Sequence, residues 1–491
     1  MGLLASFLLL AMTTQTPWAL AIPSSLNRAP DVAYLARGSP GDILARHQDP
    51  YYQSERDGQM NFSLRRNPFQ SGCRSEPTCS ASERKYRSVD GSCNNLENPS
   101  LGQAGLPYRR LVPPQHSLVD CGKASAGLPN VRQVSRDIIR RGEFDRHSTL
   151  SVMTMVWGQV IDHDMEITPL RETPSGDFLD CCEARNAASP DCCPIHAPES
   201  DNFYGRRGRP SCLPFLRSKL TGPSARQCNQ RPDVENSNTA FIDGSFVYGS
   251  DDERVKMIRS FKDGLLRTSV DVRNRVFPPI TVGEEVKMEF GDTRSDVHPA
   301  FTLVATIFLR THNKLAAELQ RMHPHWDDET LYQEARKINI ALIQHITFTD
   351  FIDALLGKPN NVRVSDGDEH EDFYNANQDP TISMAFSTAA YRLHTYVPGA
   401  FVLRDRNYQI TRSLRLRDIF HKPIHLLANN TFDELARGLC AQPLHDFNNV
   451  YSGEMTEWLF PEDEANWGLD IVSLNVQRGR DHQIPGYPTY R

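Results

Sequence analysis

The stretch LSVMTMVWGQVIDHDMEITP, residues 150–169, joins an apolar run to three polar side chains that such a run seldom carries. Leu150, Val152, Met153, Met155, Val156 and Trp157 are apolar, and no proline intervenes before Pro169, so a helix over about 148–165 is predicted. At 3.6 residues per turn, Gln159, Asp162 and His163 stand at i, i+3 and i+4 and share one face. Burying an amide, a carboxylate and an imidazole together costs free energy unless each finds a partner. Taken alone, the trio equally suits a helix end whose polar groups face water.

Two further segments carry helical periodicity. AFTLVATIFLRTHNKLAAELQR, from about Ala300 to Arg321, is apolar at Phe301, Val304, Ala305, Phe308, Leu315 and Leu319. The second, about Glu329 to Leu356, carries Leu331, Ala335, Ile338, Ile340, Ala341, Ile343 and Ile346. Between Pro169 and Pro232 the chain is rich in Pro, Gly, Cys and Arg, which predicts a long irregular region. Turn signals between Cys73 and Pro114 (Asp90-Gly91, Asn94-Asn95, Pro99) predict a loop-rich lead-in, and the acidic run Asp366–Asp372 reads as a solvated loop. The fold class is therefore mainly α, with few short strands and long connections.

The 491 residues are 39% hydrophobic and 23% charged with net charge −7, an ordinary globular balance. No basic block argues for a nucleic-acid partner, and no apolar run is long enough to span a membrane. Leu3–Met12 followed by Ala19-Leu20-Ala21 reads as a secretory signal over 1–21, and the polar residues 22–72 as a propeptide or flexible arm. Cysteines at 73, 79, 93, 121, 181, 182, 192, 193, 212, 228 and 440 behind such a signal predict disulfides, with one thiol left over from an odd count. The pairs Cys181-Cys182 and Cys192-Cys193 lack the CxxC spacing of a zinc knuckle. Asn61 and Asn429 begin glycosylation sequons.

NTAFIDGSFVYGS, residues 238–250, offers oxygen ligands at Thr239, Asp243 and Ser245, with the Phe241 carbonyl as a further candidate. That donor set suits Ca²⁺ if a second carboxylate reaches in, and Asp164 beside His163 is the candidate; otherwise the segment is a plain strand and turn. Arg294 in GDTRSD, His394 in AAYRLHTYVPG, and Asn475 and Arg478 in SLNVQRGRDH are individually unremarkable.

Taken together, these words stand in a familiar order: KYRSVDGSCNNL (85–96), WGQVIDHD (157–164), TAFIDGSFVYGS (239–250), GDTR (291–294), FLRTHNKLAAEL (308–319), LYQEARKINIALIQHITF (331–348), FSTAAYRLH (386–394) and LNVQRGRDHQIPGY (474–487). The chain resembles the animal haem peroxidases of the peroxidase–cyclooxygenase superfamily, most of all the secreted arthropod members of the chorion peroxidase and peroxinectin kind. The resemblance implies a helical catalytic domain over 73–491 that binds haem b and Ca²⁺. It implies that His163 is the distal base, Arg294 stabilises charge developing on the peroxide, and Gln159 orients distal water or halide. It also implies His394 as the proximal iron ligand, Asn475 as its tautomer-fixing partner, and Arg392 and Arg478 as propionate partners. Asp162 matches the carboxylate that is esterified to a haem methyl. Asp164, Thr239, Phe241, Asp243 and Ser245 match the calcium ligands.

The chain departs from the family's pattern at three places. Val297 stands where a second ester-forming glutamate is usual, so at most one ester, through Asp162, is expected. Arg392-Leu393-His394 lacks a residue usual between Arg and His, and it sets Tyr391 three before His394, as in cyclooxygenases. The chain ends at Arg491, sixteen residues after Asn475, so the domain is expected to be truncated at its C-terminus, with Cys440 as the thiol that lacks a partner. The expected function is a secreted enzyme that uses H₂O₂ to oxidise phenolic, tyrosyl or halide donors, including eggshell or extracellular matrix proteins. The alternatives are an inactive adhesion protein on the same scaffold and a fatty-acid dioxygenase working through Tyr391.

Overall fold

The computed structural model describes residues 77–114, 127–140, 145–173, 175–186, 188–221, 232–283, 286–357, 374–462 and 465–491. The expected signal, the arm, the acidic run, Asn61, Cys73, Cys121 and Cys228 lie outside these residues. Helix dominates. Among the described residues, the helices of eight residues or more are α1 (Val131–Ile138), α2 (Val152–Met165), α3 (Pro299–Met322), α4 (Asp328–Ile346), α5 (Thr431–Ala441) and α6 (Ile471–Asp481). The described strands pair only in twos and antiparallel, forming no larger sheet.

α2 begins at Val152 rather than near 148, because Arg146–Ser151 is a strand paired with Pro443–His445. That pairing satisfies backbone groups that a helical turn of these polar residues would have left to solvent. α3 and α4 follow the apolar stripes closely. α3 starts with His298 as N-cap and Pro299 in the first turn, where the missing proline N–H removes no helical bond. α4 starts at Asp327, whose carboxylate accepts from Thr330 N at 2.8 Å, with Asp328 and Glu329 in the first turn. It then runs into a π-turn at Thr347–Phe351 and a last turn at Ile352–Leu356.

The buried faces of α2, α3, α4 and α5 share one core. Trp157 is almost wholly buried at 5.7 Å from the Phe308 ring, and its indole N–H donates to Thr347 Oγ1 at 3.2 Å. Removing the Phe308 side chain would cost roughly 3–5 kcal/mol, the range for truncating a packed aromatic. Disulfides Cys79–Cys93, Cys181–Cys192 and Cys182–Cys212 staple the irregular regions, so the adjacent cysteines 181 and 182 go to different partners. Cys193 is also disulfide-bonded, and Cys440 carries a partly buried free thiol. No helix among the described residues is long and apolar enough to cross a membrane.

Candidate functional site

α2 supplies the centre of the site. His163 is buried with its ring edge against Phe301 of α3, the centroids 4.4 Å apart. Gln159, one turn earlier, brings its amide nitrogen to 3.5 Å from His163 Nε2. On the other side of the ring, Asp292 Oδ2 lies 3.1 Å from Nδ1, an ion-pair distance whose direction falls short of a hydrogen bond. Burial, and then the Arg294 guanidinium, hold the imidazole below its usual pKa, so it is neutral and able to take a proton.

Arg294 comes from the GDTR word, 131 positions further along the chain. Its Nη2 donates to Asp292 Oδ2 at 2.6 Å and to the Glu166 carbonyl at 2.8 Å, and its Nε to both Asp292 oxygens at 3.1 Å. Burial alone would raise the Asp292 pKa, but Arg294 and then His163 outweigh it and hold the carboxyl well below the usual range. Gly291 sets the position of this segment. A Cβ there would lie 2.2 Å from Gly249 N and from the Ser245 carbonyl, so only glycine allows the two backbones to meet.

The oxygen cluster lies directly behind. Asp164, Thr239, Asp243 and Ser245 are all buried. Thr239 Oγ1 donates to Asp243 Oδ2 at 2.8 Å and Ser245 Oγ to Asp243 Oδ1 at 2.5 Å, while Asp164 accepts from Gly244 N at 3.2 Å and Phe246 N at 3.4 Å. Gly244, at φ 76°, makes the left-handed turn into the short helix Ser245–Tyr248, where a Cβ would press on the Tyr248 ring. Burial, and then the charge of Asp243, raise the Asp164 pKa; burial also raises that of Asp243, against Arg336. Two buried carboxylates that resist ionising beside two hydroxyls are a donor set suited to a hard divalent cation. Phe241 belongs to the same loop, with its ring beside the Arg87 guanidinium. Asn238 anchors the loop to α2 by donating to the His163 carbonyl at 2.8 Å.

His394 opens a 3₁₀ turn, His394–Tyr396, after the π-turn Phe386–Ala390. The Asn475 amide of α6 lies 2.9 Å from His394 Nδ1, which leaves Nε2 as the nitrogen available to a metal. Burial, and then Arg392, bring the His394 pKa down to about 3, the neutral state that a ligand needs. Arg392 and Asn475 both line a cleft of about 460 Å³ with Thr388, Tyr451, Val476 and Gln483. His394 does not itself line this cleft; what fits a haem iron is the neutral imidazole whose Nδ1 is engaged by Asn475. Tyr391 ties the His394 segment to α2, its hydroxyl donating to the Gly158 carbonyl at 3.2 Å.

Other expected residues are placed less simply. Asp162 is pushed up in pKa by burial and then by the neighbouring Glu166 carboxylate. Arg478 directs one nitrogen to the Leu216 carbonyl, Ser218 Oγ and Asp481, and it stacks over Phe215 at 4.1 Å. These contacts are structural and lend its expected propionate role no support. Val297 packs on the core, while Asp296 faces His421, with 3.8 Å between Oδ1 and Nδ1. Sequence reasoning passed over Asp292, Glu166, Asn238 and His298. Asp292 lay inside a quoted word, but His163, which it faces, is 129 positions away, and Gln159, the partner of His298, is 139 positions away.

A model of the family described as animal haem peroxidase matches residues 86–491. Chorion peroxidase from Drosophila melanogaster is 32% identical over 86% of this chain and 55% of its own length. Mouse (Mus musculus) lactoperoxidase is 33% identical over 84% of this chain and 62% of its own. The chain therefore spans between about half and three fifths of these relatives. Among solved structures, peroxidase A from Dictyostelium discoideum superposes with TM-score 0.67 at 26% identity, covering 82% of this chain and 77% of that one. A fatty acid alpha-dioxygenase from Oryza sativa shares the fold, with TM-score 0.65 at 19% identity over 86% and 70% of the two chains. With the family model spanning nearly all of the described residues and relatives about one third identical across most of the chain, the protein belongs to the animal haem peroxidase family.

Proposed function

We propose that the chain is the catalytic part of a secreted haem peroxidase that reduces H₂O₂ and oxidises phenolic, tyrosyl or halide donors. The observation that carries this reading is a neutral, buried His163 held between the Gln159 amide and the Asp292–Arg294 ion pair. His163 takes a proton from the attacking peroxide oxygen and returns it to the leaving one. The Arg294 guanidinium, held beside the buried Asp292 carboxylate, stabilises negative charge on that leaving oxygen. Gln159 holds a water or halide beside His163. His394 would bind the iron through Nε2, Asn475 would fix its tautomer, Arg392 would meet a propionate, and Asp162 would carry the ester. When bound, haem supplies the two electrons that cleave the O–O bond.

Ca²⁺ at Asp164, Thr239, Asp243 and Ser245, with the Phe241 carbonyl, would lock the loop to the helix that bears His163. Secretion is supported by the disulfides, which persist in oxidising compartments. Cross-linking of eggshell or matrix protein through tyrosines is the proposed use, by likeness to a relative named for the chorion.

The test is an absorption spectrum of the purified protein followed by guaiacol-type turnover with H₂O₂. A Soret band and turnover that disappears in His163→Ala are expected. No Soret band, even with haem supplied during expression, sinks the reading. Acid–organic extraction should release pigment from Asp162→Ala and not from wild type. One contact favours a second reading, fatty-acid oxygenation through Tyr391: its phenol reaches the helix that bears His163. O₂ uptake with linoleate and no H₂O₂ would establish it in place of the first.

A further inference from the structure

His298 is buried between α2 and α3, and no role for it follows from the residues that the family pattern assigns. As N-cap of α3 its Nδ1 accepts the Phe301 backbone N–H at 3.2 Å, an N–H shared with the His298 carbonyl at 3.1 Å. A backbone N–H only donates, so Nδ1 has to be the unprotonated nitrogen, and the proton of a neutral imidazole then sits on Nε2. Burial brings the His298 pKa down to about 3, so the ring is neutral at ordinary pH. The Nε2–H points at Gln159 Oε1, 2.8 Å away. The Gln159 side chain therefore has its oxygen turned to His298 and its NH₂ turned to His163 Nε2, at 3.5 Å.

We propose that His298 is a positioning residue that fixes the orientation of the Gln159 amide and, through it, keeps His163 Nε2 the unprotonated nitrogen, the one able to take a proton. The hydrogen bonds have one direction from end to end. Phe301 N–H donates to His298, His298 to Gln159, and Gln159 to His163, whose own proton is then on Nδ1 facing Asp292. Only the first donor is part of a peptide group, and its polarity sets all the others. Without His298 the Gln159 amide can turn over and present Oε1 to His163, which favours the tautomer protonated on Nε2. That tautomer cannot accept a proton from a ligand in the site. The order of hydrogen bonds is a property of this chain alone, while its effect on rate rests on the peroxidase reading.

Neutron diffraction from perdeuterated crystals of the full chain tests the order directly. Deuterium is expected on His298 Nε2 and not on Nδ1, with the ND₂ of Gln159 turned to His163. Deuterium on His298 Nδ1, or Gln159 Oε1 facing His163, overturns the proposal. Kinetics give an independent test. His298→Asn keeps a capping acceptor for α3 but is too short to bridge to Gln159. The second-order rate constant for H₂O₂ should fall about fivefold, as for loss of one hydrogen bond, at an unchanged thermal midpoint. In a Gln159→Leu background the same substitution should change nothing further. An equal fall in both backgrounds rejects the mechanism. If no variant turns over H₂O₂ and wild type does not either, the peroxidase reading fails, and the neutron maps still decide the proposal.

Discussion

The chemistry of the site depends on one buried carboxylate, Asp292. It accepts from the backbone N–H of Arg294, from its Nε and from its Nη2, and it faces His163 as well. A guanidinium held from several directions loses little freedom when charge develops beside it, which is the condition for strong electrostatic stabilisation. Arg294→Leu should lower kcat/KM for H₂O₂ by about 10²–10³-fold, the range for removing one such donor. Asp292→Asn should reduce it less, because the guanidinium stays but its orientation is looser. Stopped-flow measurement of the peroxide step checks both. A larger loss in Asp292→Asn than in Arg294→Leu would mean that Asp292 acts on His163 rather than through Arg294.

At the scale of elements, the site depends on how α2, α3, α4 and the 239–250 loop are pinned together. The loop is held to α2 through Asp164 and Asn238. Chelation should therefore lower the thermal midpoint of the wild type, while Asp243→Asn should start lower and respond little to chelator; calorimetry with and without EDTA separates the cases. α3, α4 and the Ser245–Tyr248 turn meet in a buried hydrogen-bonded chain. Asn339 donates to the Tyr248 hydroxyl, which donates to His312 Nδ1, and His312 Nε2 donates to the Gly264 carbonyl, each at 2.9 Å. Burial lowers the His312 pKa from 6.5 to about 4. Below pH 6.5 the unfolded chain takes up a proton that the folded one refuses until about pH 4. The contribution of His312 to stability is thus complete above pH 6.5 and lost as the pH falls. Between pH 7 and 5 that loss is about 2 kcal/mol, and His312→Gln should lack it. Denaturant titrations of both proteins at the two pH values measure the difference.

For the whole molecule, long-range ionic contacts join regions far apart in sequence. Arg132 of α1, fully buried, pairs with Asp201 at 2.8 Å and with Asp470, the N-cap of α6, at 2.6 Å. Asp470 in turn accepts from Val472 N at 3.0 Å, so α6, which brings Asn475 to His394, is anchored through this carboxylate. Arg132→Ala leaves two carboxylates buried without their cation and should cost roughly 3–5 kcal/mol, read as a lower denaturation midpoint. It should also loosen α6 and with it the contact of Asn475 with His394, measurable as a shift of the Soret band.

The periodic apolar stripes were enough to predict α3, and the run from α4 through its π-turn to Leu356, to within a few residues, because burial of a face is written locally every three or four positions. The stretch 150–169 likewise foretold a helix carrying Gln159 and His163 on one side. The strand at Arg146–Ser151 was not legible, since its partner at Pro443–His445 lies almost three hundred positions away. The same holds within the site. Chemical identity marked His163 and Asp243, and the family resemblance singled out Arg294 and His394, whereas the Asp292 clamp, the Asn238 anchor and the His298–Gln159 contact exist only once distant segments meet. A sequence determines by itself what repeats within a few residues: helix faces, caps, and the side chains able to hold a proton or a metal. Which of those side chains face one another, and in which direction each hydrogen bond runs, is decided by tertiary packing, because a hydrogen bond depends on distance and angle in space rather than on separation along the chain.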